Sequence, residues 1–538
     1  MRSPNPLSEP GVDPAAPIEQ LAHWLLDGAL HCLAGLIIGI FLARALRSRR
    51  LHWSWATVPM LAVMLTSSAL GGWMLTVAVA SLSASARGRR WHREDVDAGA
   101  DLARLAAQRR TPFELLKAAL RRAELRRRLG APERLLRGGE LMLGTDERSR
   151  SISIPFGELS GRHTLVVGAT GTGKTITQTW LAVRAIGEGM GAVVVDPKGD
   201  RGMREALCDA AEAAGRRFIE WTPDGESVYN PYARGSDTEI ADKVLAGERF
   251  TEPHYQRQAQ RYLGHVVRAL RNDGADVSLR VIVEHLDPNR LEMLARSLPE
   301  SQAGPTQAYL DSLTTRQRSD LAGVRDRLAI VTESDVGSWL DPGTPGVERF
   351  DLLEAVRARD VVYFNLESDS RPLLSQMLGA AIVQDLQTTV AALQGRPVPT
   401  LVVIDEFSAV AAEQVVRLFG RARSAGLSLL LGTQELSDLR PPGRERLLEQ
   451  ILGNLSVLVA HRQVVPASAE LIAAVAGRRG AWRISRHSDG RTTRTRTREA
   501  VLDPDRVMNL EPGWGAVIVL GGAGAVRVGQ ILSPAGVR

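Results

Sequence analysis

The run Gly168-Ala169-Thr170-Gly171-Thr172-Gly173-Lys174-Thr175 narrows the possible folds further than any other stretch of this chain. It matches G-x-x-x-x-G-K-[ST], a loop whose backbone N–H groups close around phosphate oxygens. An apolar run, Thr164-Leu165-Val166-Val167, leads in, and helix-forming Thr175 to Val183 leads out. That context predicts strand, loop and helix in succession, with the positive end of the helix at the phosphates. Gly168, Ala169, Thr170, Gly171, Thr172, Gly173, Lys174 and Thr175 are therefore candidate nucleotide-binding residues. Lys174 is expected at the β- and γ-phosphates of ATP, and Thr175 on Mg²⁺.

Thr400-Leu401-Val402-Val403-Ile404 reads as a buried strand, and it ends in Asp405-Glu406. Asp405 is expected in the Mg²⁺ shell, and Glu406 as the base that polarises the attacking water. Leu427 to Thr433 forms another strand, with Gln434 at its end as a candidate sensor of the γ-phosphate. Gly191 to Val195 and Val361 to Asn365 add parallel-type strands. Strands alternating with helices predict a RecA-like α/β motor with helices on both faces of a parallel sheet.

The 538 residues exceed one domain. Residues 1–27 read as a disordered tail. Residues 28–86 read as a membrane anchor of two transmembrane helices, Gly28 to Leu46 and Leu51 to Ala86. Residues 87–138 read as a basic helical linker, and residues 139–233 as the first part of the nucleotide-binding domain. Residues 234–345 look polar and helical throughout, an all-α insertion; residues 346–538 resume the motor. With the ATPase in the cytoplasm, two crossings put Met1 inside. They put Arg47-Ser48-Arg49-Arg50 outside, against the positive-inside rule. The net charge of +6 is compatible with a nucleic-acid partner, and the two cysteines form no zinc or disulfide pattern. Near the C-terminus, Ser488-Asp489-Gly490 signals a hairpin that would put Arg494, Arg496 and Arg498 on one face, suited to phosphate contact.

The order of these parts resembles the type IV secretion coupling proteins, the TraG/TraD-type DNA transfer ATPases. The resemblance rests on His163 to Thr175, Asp196-Pro197-Lys198-Gly199, Val403 to Phe407, Arg423-Ser424-Ala425-Gly426-Leu427 and Leu431 to Gln434. It implies a homo-hexamer in the bacterial inner membrane, multi-pass, moving single-stranded DNA with its relaxase towards secretion-channel proteins. It implies that the helical insertion reads the cargo. It also makes Arg423, with Arg421 as alternative, a finger for a neighbouring subunit's nucleotide. An FtsK-type double-stranded DNA translocase and a non-enzymatic scaffold are the competing readings. The intact Lys174, Thr175, Asp405 and Glu406 argue against the scaffold.

Overall fold

The computed structural model describes residues 16–49, 51–65, 73–97, 111–131, 135–157, 161–248, 250, 252–410, 412–440, 446–486, 492–521 and 526–534. The chain forms two compact units that divide at Arg126 and Arg127.

The N-terminal unit corrects three expectations. Helix α1 covers Ala16–Ser48, so the expected tail is helical from residue 16 onward. Within it, Ile18–Ser48 is the one stretch among the described residues long and apolar enough to cross a membrane. The second apolar segment is not a single spanning helix. It divides into a 3-10 turn at Trp53–Thr57, helix α2 at Val58–Leu65 and helix α3 at Trp73–Asp97. Pro59 lacks the N–H that would continue a helix from the preceding turn. The apolar part of α3 ends at Ala86, after roughly 21 Å, because arginines follow; that is short of a ~30 Å hydrocarbon core. A multi-pass anchor is therefore not supported. Helix α4, Pro112–Leu129, carries the basic residues Arg121, Arg122 and Arg126 to Arg128.

The second unit is built on a parallel core. Its strands are β1 (His163–Val167), β2 (Gly191–Asp196), β3 (Phe218–Trp221), β4 (Val361–Asn365), β5 (Thr400–Ile404), β6 (Leu427–Thr433) and β7 (Leu455–Ala460). Antiparallel strands β8 (Trp514–Val519) and β9 (Val526–Ile531) extend it, and beyond β9 the strand Glu140–Asp146 continues the sheet, itself paired with Leu136–Arg137 and Ser151–Pro155. From β9 inward the order is β9-β8-β7-β1-β6-β5-β2-β4-β3. Residues of β2, β5 and β6 are buried almost without interruption, as both-face coverage demands. Ile404 pairs with Val195 on one side and Leu431 on the other, so the C-terminal ends of β2, β5 and β6 lie level. Gly168, Asp405 and Gln434 consequently leave the sheet at the same edge.

Helices fill the interval between the Ser227–Tyr229 and Glu348–Phe350 strands, among them Pro253–Asp273, Pro288–Ser297 and Thr315–Thr332. They share one hydrophobic core with the sheet rather than forming a core of their own. A buried polar cluster fastens them. Lys243 Nζ donates to Asp385 Oδ1 (2.6 Å) and to the carbonyls of Pro231 and Arg234, and the Tyr229 hydroxyl donates to Asp385 Oδ2 (2.7 Å). Every donor of this buried ammonium thus has a partner, which offsets the cost of desolvating it.

Arg478–Arg486 and Thr492–Ala500 pair as an antiparallel hairpin. Its expected turn at Ser488 to Gly490, and the Arg494 side chain, lie outside the described residues; Arg496 and Arg498 are exposed.

Candidate nucleotide-binding site

The loop after β1 needs glycine at two points. Gly171 and Gly173 adopt φ of 75° and 111°, the left-handed region that other residues enter at a cost. Gly168 is needed for room: a Cβ there would meet Cβ of His461 and Oγ1 of Thr172, each at 2.7 Å. The Thr172 hydroxyl donates to the Ala169 carbonyl at 2.7 Å and closes the turn. Helix α5, Lys174–Gly187, starts directly from it, and Thr175 opens its first turn. The N–H groups of Gly168, Ala169 and Thr172 donate within the fold, and the other loop amides with that helix N-terminus give a fitting cradle for nucleotide phosphates.

Lys174 points across to the ends of β5. Its Nζ donates to Asp405 Oδ1 at 2.7 Å and to Glu406 Oε1 at 2.9 Å, and all three side chains are nearly buried. Gln434 Nε2 donates to the same Glu406 oxygen at 2.9 Å. Four candidates from distant parts of the sequence thus meet in one cluster. Burial raises the Glu406 pKa. The Lys174 charge, hydrogen bonds from Lys174 and Gln434, and the Lys198 charge outweigh that and leave it below the ordinary value. The carboxylate is therefore ionised and able to accept a proton or orient a water. Glu406 also holds φ of 44°, a conformation costing about 1–3 kcal/mol in a non-glycine residue. The strain sits at the residue expected to do chemistry.

Arg423 lies elsewhere. It opens the turn that precedes β6, at the opposite end of the sheet from the chain's own phosphate loop. It is exposed and packs against Gly161, where a Cβ would overlap the Arg423 side chain. Arg421 is exposed two residues earlier, at the end of the Ala412–Ala422 helix.

Several partners were not foreseen from the sequence. Lys198 Nζ donates to Glu406 Oε1 at 3.2 Å, a second ammonium on the same oxygen. Its loop is held by Asp196, which accepts from the backbone N–H groups of Lys198, Gly199 and Asp200 and from the Tyr363 hydroxyl. The signal was available: a lysine just past β2, beside the strand that ends in Asp405. His461 braces the other side. Its Nδ1 donates to the Trp514 carbonyl (2.8 Å), which leaves Nε2 to accept from the Thr177 hydroxyl (2.9 Å). Burial holds its pKa down at about 4, so the ring is neutral. Gly513 N donates to the Thr172 carbonyl at 2.9 Å, tying the loop to the strand that starts at Trp514. Gln178, one turn beyond Lys174, is fully buried beside Asp405 and Gly432, and neither of its amide atoms has a partner. An orphaned amide there fits a site built to take a polar ligand and its water.

Comparison with known proteins bears on the family and the fold. Residues 399–512 match the family described as the TraM recognition site of TraD and TraG, and residues 140–221 match the helicase HerA-like C-terminal family. The type 4 coupling protein DotL of Legionella pneumophila is 21% identical over 351 residues, 53% of this chain and 45% of DotL. The chain thus spans under half the length of that relative. The fold is similar to the bacterial conjugative coupling protein TrwBdeltaN70, with a TM-score of 0.55, 18% identity, and coverage of 74% of this chain and 90% of the other. It is similar to TrwB in complex with ADP and Mg²⁺, with a TM-score of 0.53, 19% identity, and coverage of 70% and 87%. VirB4 of Thermoanaerobacter pseudethanolicus also shares it, with a TM-score of 0.50, 14% identity, and coverage of 75% and 99%. Nothing in these matches favours the FtsK-type alternative. The chain is thus similar in sequence to the TraD/TraG family and to the type 4 coupling protein DotL, and it shares the TrwB fold.

Proposed function

We propose that the chain is a membrane-anchored ATPase and the coupling protein of a conjugative or type IV secretion system, delivering single-stranded DNA with its relaxase to the channel. The observation that carries the ATPase reading is the convergence of Lys174, Asp405, Glu406 and Gln434 at one edge of the sheet. ATP and Mg²⁺ fit this set. Gly168 to Thr175 would hold the phosphates, with Lys174 moving from the carboxylates onto them. Thr175 and Asp405 would hold the metal, which neutralises charge on the transferring phosphoryl group. Glu406 then orients the attacking water and Gln434 reports the γ-phosphate. Helix α1 supplies the inner-membrane anchor and leaves the ATPase in the cytoplasm. Arg423 serves a neighbouring subunit in a homo-hexamer, and the helical insertion contacts the relaxase and its associated proteins.

The name of the DotL relative and the TraD/TraG match supply the coupling-protein part of this reading. Its test is steady-state ATP hydrolysis by the detergent-purified chain, with single-stranded DNA, duplex DNA or neither. Stimulation by single strands over duplex is expected. Equal or greater stimulation by duplex DNA would favour a double-stranded translocase, and no hydrolysis at all would remove the enzymatic reading.

A further inference from the structure

Lys174 and Gln178 stand one turn apart on the buried face of α5, and Leu181 and Ala185 continue that face into the core. The buried polar side chains around Gln178 have partners. Lys174 donates to Asp405 and Glu406. The Thr177 hydroxyl donates to His461 Nε2, and the Thr179 hydroxyl to the Thr175 carbonyl at 2.8 Å. Gln178 is fully buried as well, yet neither its amide nitrogen nor its amide oxygen has a partner. Such a group bears the full cost of desolvation with no hydrogen bond to offset it. A methionine or leucine would fill the same space without that cost. A role outside the nucleotide-free fold is therefore needed to account for the amide.

A second observation says where the amide is aimed. Gly432 lies inside β6, paired with Val166 of β1. Its φ is not positive, so this glycine is not required by backbone conformation. It is required by space: a Cβ there would overlap both Asp405 Oδ1 and Gln178 Nε2. A glycine inside a strand marks such a close approach. The two side chains thus crowd into one gap over Gly432, with the donor end of the amide towards the carboxylate oxygen. They make no hydrogen bond to each other, and Lys174 Nζ occupies that oxygen at 2.7 Å. Nucleotide phosphates would draw Lys174 away and leave Asp405 short of one donor. Gln178 Nε2 already stands beside the oxygen that Lys174 would vacate.

We propose that Gln178 is a positioning residue for Asp405: its amide takes over the carboxylate when Lys174 turns to phosphate, and so fixes the orientation in which Asp405 meets Mg²⁺. The inference rests on the ATP- and Mg²⁺-binding reading proposed above. Nε2 donates to Oδ1, and Oε1, at the other end of the amide, accepts from water that Mg²⁺ retains. A hydrogen bond that orients a metal-binding carboxylate strengthens its hold on the ion. A neutral donor suits this task. An ammonium left on Asp405 would compete with the cation for the same charge, whereas an amide holds the carboxylate and leaves that charge in place. Lys174 and Gln178 therefore alternate on one oxygen, the first without nucleotide and the second with it. The orphaned amide belongs to the nucleotide-free half of that exchange.

The test uses the full chain in detergent, with Mn²⁺ as the probe for the Mg²⁺ position and a non-hydrolysable ATP analogue as the nucleotide. Electron paramagnetic resonance reads Mn²⁺ affinity, and fluorescence anisotropy reads analogue affinity in EDTA. Gln178→Met keeps the length of the side chain and removes both polar atoms; Gln178→Leu repeats the test with a different shape. Each should weaken Mn²⁺ binding about tenfold. Analogue affinity in EDTA should stay within about twofold of the parent, because the phosphate loop is untouched. The nucleotide-free thermal midpoint should hold or rise, since a buried orphan has been removed. In an Asp405→Asn background, Gln178→Met should cost Mn²⁺ affinity no more than about twofold further, because the carboxylate it acts through is gone. Unchanged Mn²⁺ affinity in both variants overturns the proposal. So does an equal loss of analogue affinity in EDTA, which would assign Gln178 to the phosphates. A fall of several degrees in the midpoint of both variants would make the amide structural, and a full tenfold loss on top of Asp405→Asn would separate it from Asp405. A parent chain that binds neither the analogue nor Mn²⁺ would instead remove the nucleotide-binding reading itself.

Discussion

Lys174 Nζ and Asp405 Oδ1 stand 2.7 Å apart although 231 positions separate the two residues in sequence. With Glu406 at 2.9 Å on the same ammonium, one positive charge is shared by two nearly buried carboxylates. Phosphates and a divalent cation would rearrange this balance, since Lys174 would turn to the phosphate oxygens and the cation would take over the carboxylates.

Lys174→Ala should abolish ATP hydrolysis, because the charge that meets the β- and γ-phosphates is lost. It should also lower the thermal midpoint without nucleotide, since removing one partner from a buried cluster leaves carboxylates facing one another, at a cost on the order of 3 kcal/mol. Phosphate release and a thermal melt read both effects. Normal turnover would refute the site.

Glu406→Gln should bind ATP and hydrolyse it about a hundredfold or more slowly, as expected when a positioned base is removed. The amide still accepts a hydrogen bond from Gln434 and disturbs the phosphate loop little. Nucleotide affinity within a few-fold of the parent, with single-turnover hydrolysis collapsed, is the expected outcome. Loss of binding would assign Glu406 to the cradle.

Lys198 supplies the second ammonium on Glu406 Oε1, at 3.2 Å. It is the natural restraint on that carboxylate once Lys174 turns to phosphate. Lys198→Ala should lower kcat about tenfold while KM for ATP changes little, a size set by one charge-assisted hydrogen bond. Lys198→Arg should recover most of the rate. A change confined to KM would place Lys198 on the nucleotide instead.

The strand, loop and helix around Gly168 were legible because the motif is local and each part demands its neighbour. The meeting of Asp405 and Gln434 with Lys174 was legible too, because parallel strands deliver their C-terminal ends to one edge. The brace from His461 and Gly513 was not. It depends on β7 lying beside β1 and on β8 returning antiparallel, pairings that no local pattern around His461 encodes. The N-terminal unit misled for a related reason. Hydropathy marks which segments are apolar, but the direction of α3 along α1 is set by Gly35 and Gly39 meeting Thr76 and Ala80.

Acid should weaken the nucleotide-binding unit through two buried histidines. Burial, with the Arg423 charge, lowers His163 to about 4, and burial lowers His461 to about 4. His163 Nδ1 accepts from the Leu429 N–H, and His461 Nε2 from Thr177, so both rings serve in neutral form. Each folded-state pKa lies below the unfolded value near 6.5, and the unfolded chain binds the extra protons. The stability they contribute is therefore present above pH 6.5 and is lost as pH falls towards 4, by about 3 kcal/mol per ring. Denaturant midpoints at pH 7.5, 6 and 5 should fall in that order. His461→Asn should flatten the slope; an unchanged slope would show that the ring does not titrate on unfolding.

Arg423 gives the last prediction. It opens the turn before β6, at the end of the sheet opposite its own phosphate loop, and its side chain is exposed. An arginine so placed is out of reach of the nucleotide of its own subunit, since a five-residue strand such as β1 spans roughly 16 Å. A ring motor needs a positive group at the γ-phosphate as charge develops there, and a neighbouring subunit can supply it. Arg423→Ala should therefore bind ATP normally, lose DNA-stimulated hydrolysis by about a thousandfold, and poison rings mixed with parent subunits. Arg421→Ala should leave hydrolysis near the parent rate. Because Arg423 packs on Gly161, the variant's thermal midpoint must be measured alongside, and Arg423→Lys, which keeps the stem and the charge but not the planar fork, separates packing from chemistry. Hydrolysis at the parent rate in Arg423→Ala rings, with a collapse in Arg421→Ala, would transfer the role to Arg421.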